Sequence, residues 1–293
     1  RAESPHSGLI KFDGSVVEYR NIEPISDTTP ADNVTFEGTD DDDTIDIIDG
    51  NPIWDLQTLE IQSKQFENIS FANKKNVIID GIDGNDHFLI NITKPSTALV
   101  SLIIRGGNKM DTIEVLGGMT LPGIDILLEA ENIIVNDAVI EGKNINLTAE
   151  ATYGGINPFS DLTTKVELSK AQLIASGNLQ VNANSIQQKP IVGNGILEVK
   201  KTISKILVTD TVFSAGGNIA IIAKALLDIE LNGFLFDSPM EITAAVADIL
   251  ANTIINGTSQ LTAGGDILLK AISDFKSASL AKSEGQTGSV AFA

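Results

Sequence analysis

Three turns carry the residues best suited to chemistry. Gly38-Thr39-Asp40-Asp41-Asp42-Asp43-Thr44-Ile45-Asp46-Ile47 is the first, Gly81-Ile82-Asp83-Gly84-Asn85-Asp86-His87-Phe88-Leu89-Ile90 the second, and Gly106-Gly107-Asn108-Lys109-Met110-Asp111-Thr112-Ile113-Glu114-Val115 the third. All fit G-x-(D/N)-x-x-D-x-Φ-x-Φ, where Φ is apolar. Hard oxygen ligands at adaptable spacing suit Ca²⁺. If such turns stack at the strand spacing of about 4.8 Å, their carboxylates repel unless a cation bridges them. This makes Asp40, Asp42, Asp43, Asp83, Asp86 and Asp111 candidate Ca²⁺ ligands, and Ca²⁺ the one cofactor expected. The competing reading is a set of Asx-turns that close onto their own backbone and face solvent.

A second chemistry needs carboxylates beside a base. The chain has three arginines, Arg1, Arg20 and Arg105, and only Arg105 abuts an acidic turn. A groove of Arg105 with Asp83, Asp86 and Asp111 would suit a polysaccharide lyase or epimerase. Aromatic platforms for sugars are scarce, at 5% of residues. His6 and His87 have no partner histidine, and cysteine is absent, so thiolate catalysis, thiolate metal sites and disulfides are excluded. No catalytic residue is expected, and the carbohydrate-active enzyme stands as an alternative.

Charge and hydropathy narrow the partners. A net charge of −19 repels nucleic acid and anionic membranes. No apolar run reaches the roughly 18 residues of a membrane span. The first residue is Arg, with no leader-like apolar stretch after it. We expect a processed chain, or one cut from something longer.

The elements that must position the turns alternate with period two. Residues 1–33 read as a cap or lead-in, with a hairpin around Asp13-Gly14. Residues 34–118 hold the acidic turns. Their glycines are 43 and 25 residues apart, which reads as two coils and then one. Residues 119–275 use a different turn, G-(N/D)-Φ-x-Φ-x-A. Its copies begin at Gly177-Asn178, Gly217-Asn218 and Gly265-Asp266. Variants enter at Ile124-Asp125 and Lys143-Asn144, and weaker copies at Gly195 and Met240. Residues 151–164 break the period, and residues 276–293 read as a tail or the start of a further coil. Ile219–Leu231 and Glu241–Ile254 could be amphipathic helices, but their entry matches the strand copies, so strand is favoured. Repeats of this length, with an Ile/Leu/Val interior, predict an all-β solenoid of about 11 coils. Ile126, Ile145, Leu179, Ile219 and Ile267 should form one interior column.

On these motifs the chain resembles bacterial extracellular β-solenoid repeats. The second pattern looks like the haemagglutinin-type coils of large secreted adhesins. The first looks like a diverged relative of the Gly/Asp-rich calcium-binding repeats of RTX proteins, although those come as tandem nonapeptides. The resemblance implies a right-handed parallel β-helix, secreted or at the cell surface, with a structural or adhesive role. It also implies its partners: further repeats or neighbouring copies of the same polypeptide, and a surface glycan or a receptor on a host or neighbouring cell. Self-assembly into an extracellular fibre or sheath is the related alternative.

Overall fold

The computed structural model describes residues 2–4, 7–12, 15–20, 24–154, 162–191, 198–233 and 245–281. The described residues form strands, with no helix among them. At the start, β1 (Ala2–Ser4), β2 (Ser7–Phe12) and β3 (Ser15–Arg20) make a small antiparallel sheet. Phe12 pairs with Ser15, so β2 and β3 flank the expected Asp13-Gly14 turn, which lies outside the described residues.

The rest of the chain climbs through eight levels among the described residues. The first contains β4 (Ile25–Asp27), β5 (Ala31–Glu37) and β6 (Thr44–Asp49), then an excursion through β7 (Leu59–Ser63) and β8 (Ile69–Phe71). The second is β9 (Lys74–Asp80) and β10 (His87–Ile92), and the third β11 (Ser101–Arg105) and β12 (Thr112–Thr120). From the fourth on, a level has three strands. These are β13 (Asp125–Ala130), β14 (Asn132–Asn136) and β15 (Val139–Gly142), then β16 (Ile145–Gly154), β17 (Leu162–Ser169) and β18 (Gln172–Ala175). β19 (Leu179–Ile191), β20 (Glu198–Thr209) and β21 (Val212–Ala215) make the sixth, and β22 (Ile219–Gly233), β23 (Ala245–Asn256) and β24 (Gln260–Ala263) the seventh. β25 (Ile267–Ala281) opens the eighth.

Like strands pair in parallel from level to level. One sheet runs β5-β9-β11-β13-β16-β19-β22-β25. The other runs β6-β10-β12-β14-β17-β20-β23, with β15, β18, β21 and β24 as a third strip joined to it at β12. In the first sheet Val34, Val77, Leu102, Ile126, Ile145, Leu179, Ile219 and Ile267 are successive register partners. In the second, Ile45, Phe88, Ile113, Ile133, Val166 and Ile206 line up in the same way. Period-two alternation turns both columns inward, where branched aliphatic side chains stack on one another. The expected column from Ile126 to Ile219 is buried, whereas Ile267 is 47% exposed because β25 pairs only with β22 among the described residues.

Three expectations change. The described residues make eight levels where about eleven are expected. The 43-residue step from Gly38 to Gly81 is a single level, because β6 pairs directly with β10 while β7 and β8 fold back antiparallel in between. Alternation in Trp54–Ile61 and Phe66–Phe71 signalled strands but could not tell antiparallel from parallel pairing. The later levels also lengthen. β16, β19, β22 and β25 have 10, 13, 15 and 15 residues, so Ile229–Leu231 continues β22 and is not a separate second strand.

The boundaries shift too. β4 lies within the expected lead-in and β5 begins there, yet both join the main sheets, and β25 continues through residues 276–281. Lys74, 1% exposed, holds the β4–β5 connection by binding Asp27 at 2.8 Å and the Thr29 carbonyl. Ile219–Leu231 is strand, as the entry motif predicts. The weak copy at Met240 and most of that at Gly195 lie outside the described residues, as do residues 155–161 of the break at 151–164.

The interior column has a direct test. Ile219→Asp places an unpaired charge where Ile219 has no exposed surface, at a cost of several kcal/mol. Ala220→Asp, on the alternate and half-exposed position, should change stability by about 0.5 kcal/mol or less. Urea unfolding of the two variants should separate them clearly; equal midpoints would mean the alternation is misassigned.

Candidate functional site

The acidic turns sit where the chain passes from the first sheet to the second. Each level must bend there, and the bend takes one backbone N–H out of the ladder. The carbonyls stay satisfied: His87 N–H donates to the Asp43 carbonyl, Thr112 to Asp86, Asn132 to Asp111 and Lys165 to Glu131, at 2.8–3.0 Å. The N–H of the acidic residue itself is taken by the carboxylate one level on. Asp43 N donates to Asp86 Oδ1 at 2.8 Å, Asp86 N to Asp111 Oδ1 at 2.7 Å, and Asp111 N to Glu131 Oε2 at 2.8 Å. Four acids therefore form a ladder at one corner, and all are buried.

The glycine of the motif makes room for this ladder. A Cβ on Gly81 would stand 2.1 Å from Asp86 Oδ2 and 2.2 Å from the Gly106 carbonyl oxygen. On Gly106 it would stand 2.4 Å from Asp111 Cβ and Oδ2. The recurring Gly-to-Asp interval of five residues thus folds each carboxylate back over its own glycine. At the fourth level β14 follows β13 after a single residue, and the longer Glu131 side chain replaces the Gly loop.

The ladder continues as hydroxyls. Glu131 lines up with Thr164, and Thr164 with Ser204. Thr164 Oγ1 and Ser185 Oγ are 2.9 Å apart. Ser185 N donates to Ser204 Oγ at 2.8 Å, and Ser204 Oγ to the Lys224 carbonyl at 2.6 Å. These short polar side chains cross between the two sheets where the lengthened strands bring them together, and Thr164, Ser185 and Ser204 are all fully buried.

The electrostatics differ along the acid ladder. Burial in the low-dielectric interior pushes Asp86, Asp111 and Glu131 up to about 7, against the backbone N–H donated to each. Repulsion from neighbouring acids adds to the rise: Asp111, Asp43 and Asp42 act on Asp86, and Glu131, Asp80 and Asp83 on Asp111. Asp43 is raised too, again mainly by burial. Its carboxylate is better served, because Thr39 donates to it from N at 2.7 Å and from Oγ1 at 3.1 Å. Ile82 and Gly107 stand where Thr39 does and offer no hydroxyl. Asp86 Oδ2 and Asp111 Oδ2 are buried with no hydrogen-bond partner.

The six expected ligands divide. Asp43, Asp86 and Asp111 are inside the ladder; Asp40 and Asp42 are exposed on the turns and Asp83 is half-buried there. Asp42 Oδ1 accepts from Asn85 N at 2.7 Å and from Asn85 Nδ2 at 3.1 Å, and the Asn85 backbone donor above all holds its carboxyl below the usual range. Asp83 accepts from Gly84 N and pairs with Lys109 at 3.3 Å. Stacking alone would gather these oxygens, but only the last aspartate of each turn is buried, and the earlier ones stay at the surface. No group of three or more His, Cys, Asp or Glu side chains is placed to hold a metal ion among the described residues. Arg105 does not complete a groove with Asp83, Asp86 and Asp111; its partner is Glu129, at 3.7 Å. His87 lies 3.4 Å from Glu114.

Sequence reasoning missed Glu131. Its signal was position: it precedes Asn132-Ile133-Ile134-Val135 as Asp111 precedes Thr112-Ile113-Glu114-Val115. Comparison with protein-family models, curated protein sequences and solved structures finds no match.

Gly81→Ala tests the fit between glycine and carboxylate. The clash with Asp86 and with the next level's backbone should destabilise by more than about 2 kcal/mol. Gly123→Ala is the control. Nothing lies within 4 Å of its added Cβ, and it bears only the cost of a left-handed backbone (φ +80), about 1 kcal/mol. Equal thermal shifts for the two would remove the steric argument.

Proposed function

We propose that this chain is a non-catalytic structural element, a right-handed parallel β-solenoid that serves as a stiff segment of a secreted or cell-surface protein. The observation that carries the reading is the unbroken register from Val34 to Ile267, in which each level templates the next. Right-handedness follows the strong preference of parallel crossovers in a sheet. Eight levels at about 4.8 Å span about 35 Å. Such a stack resists bending because every interior coil is hydrogen-bonded to both neighbours. The distribution of charge supports a scaffolding role as well. The basic groups beside the turns face separate acids, Lys109 pairing with Asp83 and acting on Asp42, and Arg105 lying 3.7 Å from Glu129. A shallow depression lined by Pro30, Ala31, Asp32, Asn73, Lys75 and Ala98 lies at the opposite end of β5 and β9 from the acid ladder. The adhesive role and its partners, a surface glycan or a receptor, rest on the resemblance to secreted adhesin coils.

A second reading, self-assembly, is favoured by β25. This strand has one partner among the described residues, and Ile267, Leu268 and Leu269 are 47%, 49% and 50% exposed. An unpaired, apolar edge is a template for another strand.

Incubation with acidic polysaccharides distinguishes scaffold from enzyme. The scaffold reading expects no unsaturated product and no loss of chain length, with or without Ca²⁺. Enzyme-dependent appearance of unsaturated sugar would overturn it. Sedimentation across a range of concentrations tests the second reading. A monomer throughout would remove it, and association abolished by Leu268→Lys would establish β25 as the contact.

A further inference from the structure

We propose that Asp86 and Asp111 are proton-binding sites, held as neutral carboxylic acids in the folded chain, and that losing these protons loosens the first four levels. The argument begins with the unpartnered atoms. Asp86 and Asp111 are 1% and 0% exposed. In each, Oδ1 accepts an N–H from the chain, while Oδ2 is buried without a donor. A carboxylate in that position has half its charge unsolvated, whereas a carboxylic acid has none. Asp86 Oδ2 and the Gly106 carbonyl oxygen share the same face of Gly81, 2.1 and 2.2 Å from where a Cβ would stand.

Among the described residues no cation pairs with Asp86 or Asp111. The charged groups that act on Asp86 are Asp43 and Asp42 from the level before and Asp111 from the level after. Those acting on Asp111 are Glu131, Asp80 and Asp83, and Glu129 acts on Glu131. The nearby basic groups lie against other acids: Lys109 is 3.3 Å from Asp83, Arg105 3.7 Å from Glu129 and His87 3.4 Å from Glu114, the last two without a hydrogen bond from Arg105 Nε or His87 Nε2. Asp43 marks the contrast within the same ladder. There Thr39 supplies both N–H and hydroxyl to the carboxylate, and its oxygens are satisfied without a proton.

The sign of the effect follows from linkage. Folded Asp86 and Asp111 titrate at about 7, above the ordinary carboxylate range of about 4 in an unfolded chain. Between those values the folded state binds more protons than the unfolded state. The stability they contribute is full below about pH 4 and is lost as pH rises through about 7. Like charges stacked in one column titrate as a group, so the loss spreads over more than one pH unit.

The test uses the whole chain and the double variant Asp86→Asn/Asp111→Asn. Asparagine keeps the Oδ1 acceptor and places a permanent donor where the acid carries its proton. The parent should have a higher urea midpoint at about pH 5 than at about pH 8, and the variant should lose most of that difference by gaining stability at the higher pH. A variant as pH-sensitive as the parent would overturn the proposal. Infrared spectroscopy of the parent covers the case in which the variant fails to fold. A carbonyl band of protonated carboxylic acid should be present at about pH 6, well above the ordinary range, and vanish by about pH 9. Its absence at about pH 6 would overturn the proposal. So would a rise in the parent's midpoint on adding millimolar Ca²⁺ at about pH 8 that the variant lacks, because the column would then take a metal ion and not a proton.

Discussion

The hydrogen bond from one level's corner amide to the next level's carboxylate is the constraint on which the acidic half of the chain depends. A parallel sheet satisfies its own backbone, but a corner does not, and a buried N–H without an acceptor is costly. The carbonyls at this corner keep their partners across the levels. The amides of Asp43, Asp86 and Asp111 do not, and the acid one level on supplies what is missing. Once that bond is fixed, much of the local sequence follows. Glycine must precede the acid by five residues so that the carboxylate can fold back. An apolar residue must come two positions after the acid, because the strand that starts there faces inward.

The second half of the chain meets a similar need with neutral groups. At the opposite corner Asn144 Oδ1 accepts from Asn178 N, Asn178 Oδ1 from Asn218 N, and Asn218 Oδ1 from Asp266 N, each at 2.8 Å. The direction is reversed: here the side chain of the earlier level caps the amide of the later one. The adjoining glycine has the same purpose, since a Cβ on Gly177 or Gly217 would stand 2.4 Å from the asparagine oxygen. Thr164, Ser185 and Ser204 extend the acid column without charge into the widened levels. Amides and hydroxyls bring no repulsion to a stack. Carboxylates do, and that separates a ladder that merely holds the corner from one whose strength depends on protonation.

Much of this was legible in the sequence. Alternation placed the strands, and the match of Gly-Asn-Φ-x-Φ copies gave the register of Leu179 with Ile219 and of Ile219 with Ile267. The acidic motif located the site through its glycine and its last aspartate. What the motif could not convey was direction. Asp42 and Asp43 are neighbours in sequence, yet Asp40, Asp41 and Asp42 are all exposed on the turn and Asp43 is 2% exposed, because only the last residue of the turn folds back over its glycine. Grouping all the aspartates as oxygen ligands therefore overlooked which of them the fold encloses. Level count failed for a related reason. Period tells strand from helix, but the antiparallel return of β7 and β8 within a 43-residue step leaves the same alternation as a further coil. Glu131 escaped because its role rests on alignment with Asp111 and on side-chain length, and no glycine marks it.

The claim underlying all of this is that the acidic turns occupy one corner on consecutive levels, including across the 43-residue step. The chain has no cysteine, so introduced pairs report without background. Thr44 and His87 are register partners beside the ladder, while Phe88 is the next residue and points into the core. The deciding measurement is cross-linking by a short thiol-reactive reagent in Thr44→Cys/His87→Cys, compared with Thr44→Cys/Phe88→Cys. The first should cross-link rapidly within a monomer and the second should not. Failure of the Thr44–His87 pair, in a variant that folds as the parent does, would place another strand between the first two turns and contradict the ladder.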